Sequence, residues 1–188
     1  MKSPHVCLTF LALGSICGAA GAQMKLLHLS SHKHTDAAKE QAVFSAEEKG
    51  VERPVGLPDD VRLVLARDEY VGNLLEQKKL SAQKLPEAWF SAAQVHLGSH
   101  HEDDLVVMGA GPVMGADGTT FWVFTPAQSG YRLALKVSTH TLLVKEDRTA
   151  GVKELEAQSA TSSEVFRVLF RYDGLQYKSY KEVSEPIK

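Results

Sequence analysis

The stretch FWVFTPAQSGYRLALKV, residues 121–137, decides the fold. It opens on four apolar residues, Phe121 to Phe124, a pattern typical of a strand that is covered on both faces. The chain then turns at Gln128-Ser129-Gly130, where glycine supplies the positive φ that tight hairpins need. After the turn, side chains alternate between two predicted faces, one with Tyr131, Leu133, Leu135 and Val137 and the other with Arg132, Ala134 and Lys136. Two antiparallel strands joined by a hairpin are therefore expected.

The same strand signature continues on both sides of this hairpin. Eight strands are predicted, near residues 93–97, 105–108, 121–124, 131–137, 140–144, 153–157, 165–172 and 177–183. The run 105–108 is apolar on both faces and should be central or covered, like 121–124. Segments starting at Asp104, Phe121 and Gly130 are echoed at Glu154, Leu169 and Gly174, with offsets of about 45 to 50 residues, so the domain could consist of two four-stranded units. An ordinary meander with Asp-Gly turns would also produce such an echo.

Short helices precede these strands. Pro58-Asp59-Asp60 suits a first helical turn, and apolar residues at spacings of three and four then define one helix face. Arg67-Asp68-Glu69 and Gly72 favour two short helices over one long one. Further upstream, residues 35–50 are expected to form a short helix with Thr35 as N-cap and Gly50 as its stop. The predicted class is α+β, mostly β: an antiparallel β domain of about eight strands preceded by short helices.

The first 22 residues indicate export. They contain Lys2, an apolar stretch from Val6 to Ile16 and small residues up to Ala22, the pattern of a secretory signal peptide. The apolar stretch is shorter than the about 20 residues that a membrane-spanning helix needs, and the bulky Ile16 before Cys17 argues against a lipoprotein anchor. Cleavage near Ala22 would leave 166 residues (188 minus 22) without cysteine, because both cysteines precede the cut. The expected location is periplasmic or extracellular.

The predicted organisation has four parts. Residues 1–22 are a signal peptide, 23–57 a flexible N-terminal segment with the short helix, 58–84 a helical region and 85–188 the antiparallel β domain. A hydrophobic content of 44% allows a real core. The formal charge of -2 argues against nucleic-acid binding, which depends on clustered Lys and Arg. No membrane span is expected in the mature chain, and its oligomeric state is left open.

Several of these segments resemble small exported bacterial proteins of the acidobacterial type, which have no assigned activity. The resemblance covers about residues 86–180, on PEAWF, VHL, DLVV, FWVF, GYRL and FRYDG. The hairpins are also weakly similar to single blades of FG-GAP or VCBS repeats, which are propeller-type binding modules. That class holds calcium in an acidic loop, of which only Asp117-Gly118 is present here. Small periplasmic lysozyme inhibitors share the β-rich exported format, without a matching inhibitory loop.

The polar segment HLGSHHEDD, residues 96–104, is the densest group of residues that could carry chemistry. Imidazoles beside carboxylates are the ingredients of a zinc or other divalent-metal site, and a solvated turn between two strands has the same composition. The weak metal candidates are His96, His100, His101, Glu102, Asp103 and Asp104. His28, His32 and His34 form a second histidine set near the N-terminus.

Catalytic motifs are otherwise missing from the sequence. Both thiols lie in the predicted signal peptide, and the chain has no Gly-x-Ser-x-Gly elbow. No catalytic residue and no cofactor are assigned. A C-terminal set of basic and aromatic side chains could offer a sheet face to a polyanion or sugar, or could reflect ordinary strand alternation: Arg167, Arg171, Tyr172, Tyr177, Lys178, Tyr180 and Lys181.

Two hypotheses about function follow. The first is a non-catalytic binding or inhibitor-like module that acts on a protein or glycan of the cell envelope, and it depends partly on analogy. The second is a divalent-metal-dependent protein or hydrolase centred on the segment from His96 to Asp104. They differ in whether at least three of the candidate side chains converge on a common point.

Overall fold

The computed structural model describes residues 40–47, 51–98, 102–116 and 118–187. The helices are α1 (Asp59–Ala66) and α2 (Glu69–Gln77), and short 3-10 turns lie at Ala82–Lys84, Glu87–Trp89 and Gly111–Val113. The strands are β1 (Val43–Ser45), β2 (Phe90–Val95), β3 (Asp104–Gly109), β4 (Met114–Gly115), β5 (Gly118–Ala127), β6 (Gly130–Thr139), β7 (Thr141–Thr149), β8 (Val152–Ala160), β9 (Glu164–Tyr172) and β10 (Tyr177–Pro186). The predicted class is confirmed, and all eight predicted strands are present.

The strands form two antiparallel sheets. In the first, β3 lies between β2 and β5, β6 pairs along β5, and the short β4 pairs with the start of β5. The second has the order β1-β7-β8-β9-β10. Apart from β1 and β4, each sheet is a meander of four long strands that follow one another in the sequence. The echoed segments at Asp104 and Glu154 both lie in the second long strand of their meander, and those at Phe121 and Leu169 in the third.

The main core lies between the two sheets. Apolar side chains from β2, β3, β5 and β6 meet those of β7, β8 and β9, with Phe121, Val123, Leu142 and Leu155 inaccessible to solvent. A second core lies on the other face of the first sheet, where Val61, Leu65 and Val71 of the helices pack against Trp122 and Phe124. The first sheet is thus covered on both faces, which explains why 105–108 and 121–124 are apolar without interruption.

Helix α1 begins at the predicted turn, and two short helices are present as expected. Asp59 and Asp60 occupy the first turn of α1, and the Asp68 carboxylate accepts from the backbone N–H of Tyr70 (3.1 Å) and of Val71 (3.5 Å) at the start of α2. A side chain that accepts from the first free N–H groups stabilises a helix terminus. Neither helix in the described ranges has the length and hydropathy of a membrane-spanning segment.

The N-terminal part of the described chain differs from expectation. Residues 43–45, predicted as part of a helix over 35–50, form strand β1 on the free edge of β7. Phe44 is fully buried in the main core, and Val55, in the predicted segment 23–57, pairs with Ala92. The free energy gained by burying the Phe44 side chain is larger than the differences in helix propensity, which are below about 1 kcal/mol per residue. The strand conformation that buries Phe44 is therefore favoured over a helix. The described residues 40–47 and 51–57 are therefore part of the domain rather than a flexible lead.

Strand β6 also differs from its predicted alternation. Val123 lies opposite Leu135 and Phe124 opposite Leu133, so Ala134 is an extra residue in β6. This bulge reverses the faces along the strand: Tyr131 and Leu133 belong to the helix-side core, whereas Leu135 packs between the sheets. Lys136, opposite Trp122, is consequently on the helix side. Bulges re-aim side chains in this way.

The predicted signal peptide and the set His28, His32 and His34 lie outside the described residues.

Candidate functional site

The described members of the predicted 96–104 segment differ in burial and in their partners. The imidazole of His96 and the carboxylate of Asp103 are half-exposed, with Nδ1 and Oδ1 3.6 Å apart. Asp104 is fully buried, and its Oδ2 accepts from the backbone N–H of Leu97 at 3.0 Å. Glu102 is exposed. His100 and His101 lie outside the described residues, and in the described ranges no three His, Cys, Asp or Glu side chains form a metal-binding group.

The start of this segment has a structural role. The backbone N–H of His96 donates to the Glu40 carboxylate, which also accepts from Lys153 Nζ at 3.1 Å. The Leu97 carbonyl accepts from the backbone N–H of Lys153 at 2.8 Å. These bonds connect three parts of the chain that are distant in sequence: the residues before β1, the end of β2 and the start of β8. The polar groups of His96, Leu97 and Asp104 thus stabilise one end of the sandwich.

The predicted basic and aromatic set does not form one surface. Tyr177 is buried between the sheets, where its hydroxyl donates to the Lys153 carbonyl, and burial raises its pKa. Tyr172 also packs against that core. Arg167 and Arg171 lie on the opposite, outer face of the second sheet, because they alternate with Phe170 along β9.

Charges on this outer face are largely satisfied within the protein. The Glu154 carboxylate is 7% exposed and accepts from Thr149 Oγ1 (2.6 Å), Tyr180 OH (2.6 Å) and Arg171 Nε (2.8 Å). The Arg171 guanidinium also lies over the Tyr180 ring, 3.7 Å from its centroid. The hydrogen bonds from Thr149 and Tyr180, with help from Arg171, hold the pKa of Glu154 at about 2 against the effect of burial. A ligand would have to compete with these bonds, so the face is better suited to stability than to recognition.

A groove on the helix side of the first sheet is lined by polar groups that can form further hydrogen bonds. We call it the α2–β6 groove; it has a volume of about 410 Å³, against about 70 and 90 Å³ for two other depressions among the described residues. Pockets for small ligands commonly measure about 300–1,000 Å³. Its polar and aromatic lining comes from α2 and the adjacent strands: Tyr70, Thr119, Thr120, Lys136 and Ser138, with the backbone of Gly115 and Gly118 at one end.

The position of Lys136 in the groove is fixed by a buried carboxylate. Lys136 Nζ lies 2.6 Å from Asp68 Oδ2, and the Lys136 side chain is 43% exposed whereas that of Asp68 is 8% exposed. The same Oδ2 accepts from Trp122 Nε1 at 3.2 Å. Burial raises the pKa of Asp68, but the hydrogen bonds from Lys136 and Trp122 outweigh this effect and leave the pKa below its ordinary value. Asp68 is thus ionised at neutral pH and holds the lysine at the edge of the groove.

The groove is also lined by an exposed aromatic ring and by two hydroxyls next to Lys136 on the sheet. Tyr70 is 45% exposed, and its hydroxyl donates to the Pro112 carbonyl at 3.2 Å. Thr120 Oγ1 and Ser138 Oγ, directly opposite each other on β5 and β6, are 2.9 Å apart. Within the described chain their hydrogen-bond partners are each other, with no imidazole or carboxylate to act as a base. Among the described lining residues, the pair thus offers hydrogen-bond donors and acceptors and is not arranged with a base as in acyl-transfer enzymes.

Sequence reasoning missed this groove. The alternation along the strand predicts Lys136 on the same face as Arg132 and Ala134, whereas the bulge at Ala134 places it on the helix side of the sheet. The sequence indicates Asp68 only as part of a break between two helices. Its contact with Lys136 joins residues 68 positions apart, and local patterns contain no signal for such a pair.

Comparisons with known proteins give no relative on which to base a function. Neither the protein-family models nor the curated proteins nor the solved structures provide a match to the chain. Any functional conclusion therefore depends on the geometry of the described residues.

Proposed function

We propose that this protein is a non-catalytic binding module of the cell envelope, exported by a signal peptide cut near Ala22, and that it binds a glycan in the α2–β6 groove. The observation that carries the proposal is the groove itself, in which Tyr70, Lys136 and the Thr120–Ser138 hydroxyl pair surround a space of about 410 Å³. Concave sites with a few placed polar groups are the usual form of small-ligand sites.

The held position of the lining side chains supports a binding role. Lys136 is fixed by Asp68, Asp68 by Trp122, and the Tyr70 ring by the Pro112 carbonyl. Side chains that are already ordered lose little conformational entropy when a ligand arrives, and this saving favours affinity. The volume of about 410 Å³ is in the range of small-ligand sites, whereas a specific protein interface buries about 800 Å² on each side.

The location of the site can be tested by heteronuclear NMR. The ¹⁵N-labelled protein would be titrated with two envelope fractions, one of protease-treated soluble glycans and one of proteins. We expect the glycan fraction to shift the amide resonances of Gly115, Thr119, Thr120 and Ser138. Shifts centred on Glu154 and Arg171, or on His96 and Asp103, would contradict the proposed site, as would shifts caused by the protein fraction alone.

A further inference from the structure

Among the lining residues that the structure describes, the charge of Lys136 is balanced by Asp68 before any ligand binds. Lys136 is the one lining residue with a formal charge among those that the structure describes, and Asp68 lies 2.6 Å from its ammonium group. Asp68 is buried and also accepts a hydrogen bond from the indole N–H of Trp122. If the Asp68 side chain rotated away from Lys136, buried polar groups would lose their partners. An anionic ligand would gain little from a cation that is already neutralised at this distance.

The remaining polar groups of the groove suit a ligand with hydroxyls. A hydroxyl can both donate and accept, and the Thr120–Ser138 pair uses only part of its capacity in its mutual bond of 2.9 Å. The Lys136 ammonium has three N–H donors, and Asp68 is the partner of one. Together these groups offer donors and acceptors about equally, which matches a polyhydroxylated molecule better than a purely accepting one.

Tyr70 adds an aromatic ring to the groove lining. The side chain is 45% exposed and its hydroxyl donates to the Pro112 carbonyl, so the ring is held in place while part of it stays accessible to a ligand. A sugar ring has an apolar face of C–H groups and a polar rim of hydroxyls. Such a ring can pack its C–H face on an aromatic ring while its rim reaches hydroxyl and ammonium partners.

From these observations we infer that the α2–β6 groove takes an uncharged saccharide unit, stacked on Tyr70 and hydrogen-bonded by Thr120, Ser138 and Lys136. The inference rests on the proposed function and narrows it, because it excludes uronic acids, sulfated sugars and phosphates as the recognised unit.

A defined panel of oligosaccharides tests the inference by titration calorimetry. The neutral members are cellotetraose, maltotetraose, mannotetraose and chitotetraose, and a matched pair is tetragalacturonic acid and its methyl ester, which differ only in charge. We expect at least one neutral member to bind, the methyl ester to bind better than the free acid if either binds, and the affinity to change less than twofold between about 50 and 500 mM NaCl, because screening affects charged contacts.

Three variants locate the binding. Tyr70→Ala should weaken it at least tenfold and Tyr70→Phe by less than threefold, whereas Leu63→Ala should leave it unchanged, since Leu63 is an equally exposed helical residue outside the groove lining. Circular dichroism would check that each variant folds. If only the acidic oligosaccharides bind, and Tyr70→Ala abolishes that binding, the inference of a neutral sugar is overturned while the groove remains the binding site. Binding that Tyr70→Ala leaves intact would overturn the groove and the proposed function together, and no binding by any member would overturn the inference.

Discussion

The indole N–H of Trp122 donates to the carboxylate of Asp68 across 3.2 Å, joining the central strand β5 to the first residue before helix α2. Trp122 is 1% exposed, so in the folded protein its N–H depends on Asp68 rather than on bulk water for an acceptor. This one carboxylate caps a helix, satisfies a buried donor and positions Lys136.

The first prediction follows from this triple role. Asp68→Ala should lower the free energy of unfolding by about 2–4 kcal/mol, since it removes an N-cap and leaves a buried indole N–H unpaired. Urea unfolding would measure the loss. In a double-mutant cycle with Trp122→Phe, we expect a coupling energy of about 1–2 kcal/mol. Additive losses would show that the bond between Trp122 and Asp68 contributes nothing.

The second prediction concerns acid stability. The pKa of Glu154 is about 2 in the folded protein against an ordinary value of 4.5, so its ionised form stabilises the fold above pH 4.5 and this contribution is lost as the pH falls towards 2. Thermal melting of Glu154→Gln should show a deficit in Tm at neutral pH that shrinks between about pH 4.5 and 2. Glu76→Gln, an exposed change on α2, should match the wild type throughout. A deficit that is constant with pH would contradict the assignment.

The third prediction uses a close approach at the β5–β6 turn. Gly130 has φ +88°, and a Cβ there would lie 2.1 Å from Asp60 Oδ2, the atom that accepts from the backbone N–H of Tyr131 at 2.5 Å. Gly151 has φ +82° and open space around it. Both Ala variants should pay the cost of a positive φ, about 1 kcal/mol, and Gly130→Ala should lose a further 1–2 kcal/mol, roughly the value of the displaced hydrogen bond.

Chemical denaturation of the two variants would give this difference directly. In an Asp60→Ala background the Asp60 carboxylate is already absent, so the additional loss in Gly130→Ala should disappear. Equal losses at the two glycines in the wild-type background would show that α1 does not hold the turn through Asp60.

The fourth prediction tests the attachment of the N-terminal strand. Phe44 is fully buried whereas its neighbour Val43 is 47% exposed. Phe44→Ala should lower the free energy of unfolding by about 3–5 kcal/mol, as expected for a large core side chain, and Val43→Ala by less than about 0.5 kcal/mol. If urea unfolding showed similarly small losses in the free energy of unfolding for both variants, β1 would contribute little to the stability of the domain.

Much of the fold could be predicted from the sequence because its long strands carry strong local signals. The runs 105–108 and 121–124 are apolar on both faces, and the structure covers both faces. The apolar spacing of three and four after Asp60 predicts the helices, and Val61, Leu65 and Val71 of that pattern are buried. These patterns are the spacing of apolar residues along a single element, and a long strand or helix contains enough residues for that spacing to be recognised in the sequence.

The groove could not be predicted because it depends on relations between elements. An extra residue at Ala134 is recognised only against the register of β5, and it alone decides on which face Lys136 lies. Strand β1 has three residues, too few for a period to show, and its pairing with β7 decides its conformation. The composition of the 96–104 segment indicates a metal site, but its described side chains do not form a group of three metal ligands.

The two meanders have a consequence for how the chain folds. Within each, every long strand pairs with the long strand before it in the sequence, so both sheets can grow by adding adjacent hairpins at a small loop-closure cost. The pairing of β1 with β7 instead joins residues about 100 positions apart. Because folding slows as contacts become less local, we expect the hairpins to form early and the docking of β1, sealed by Phe44, to come among the last steps.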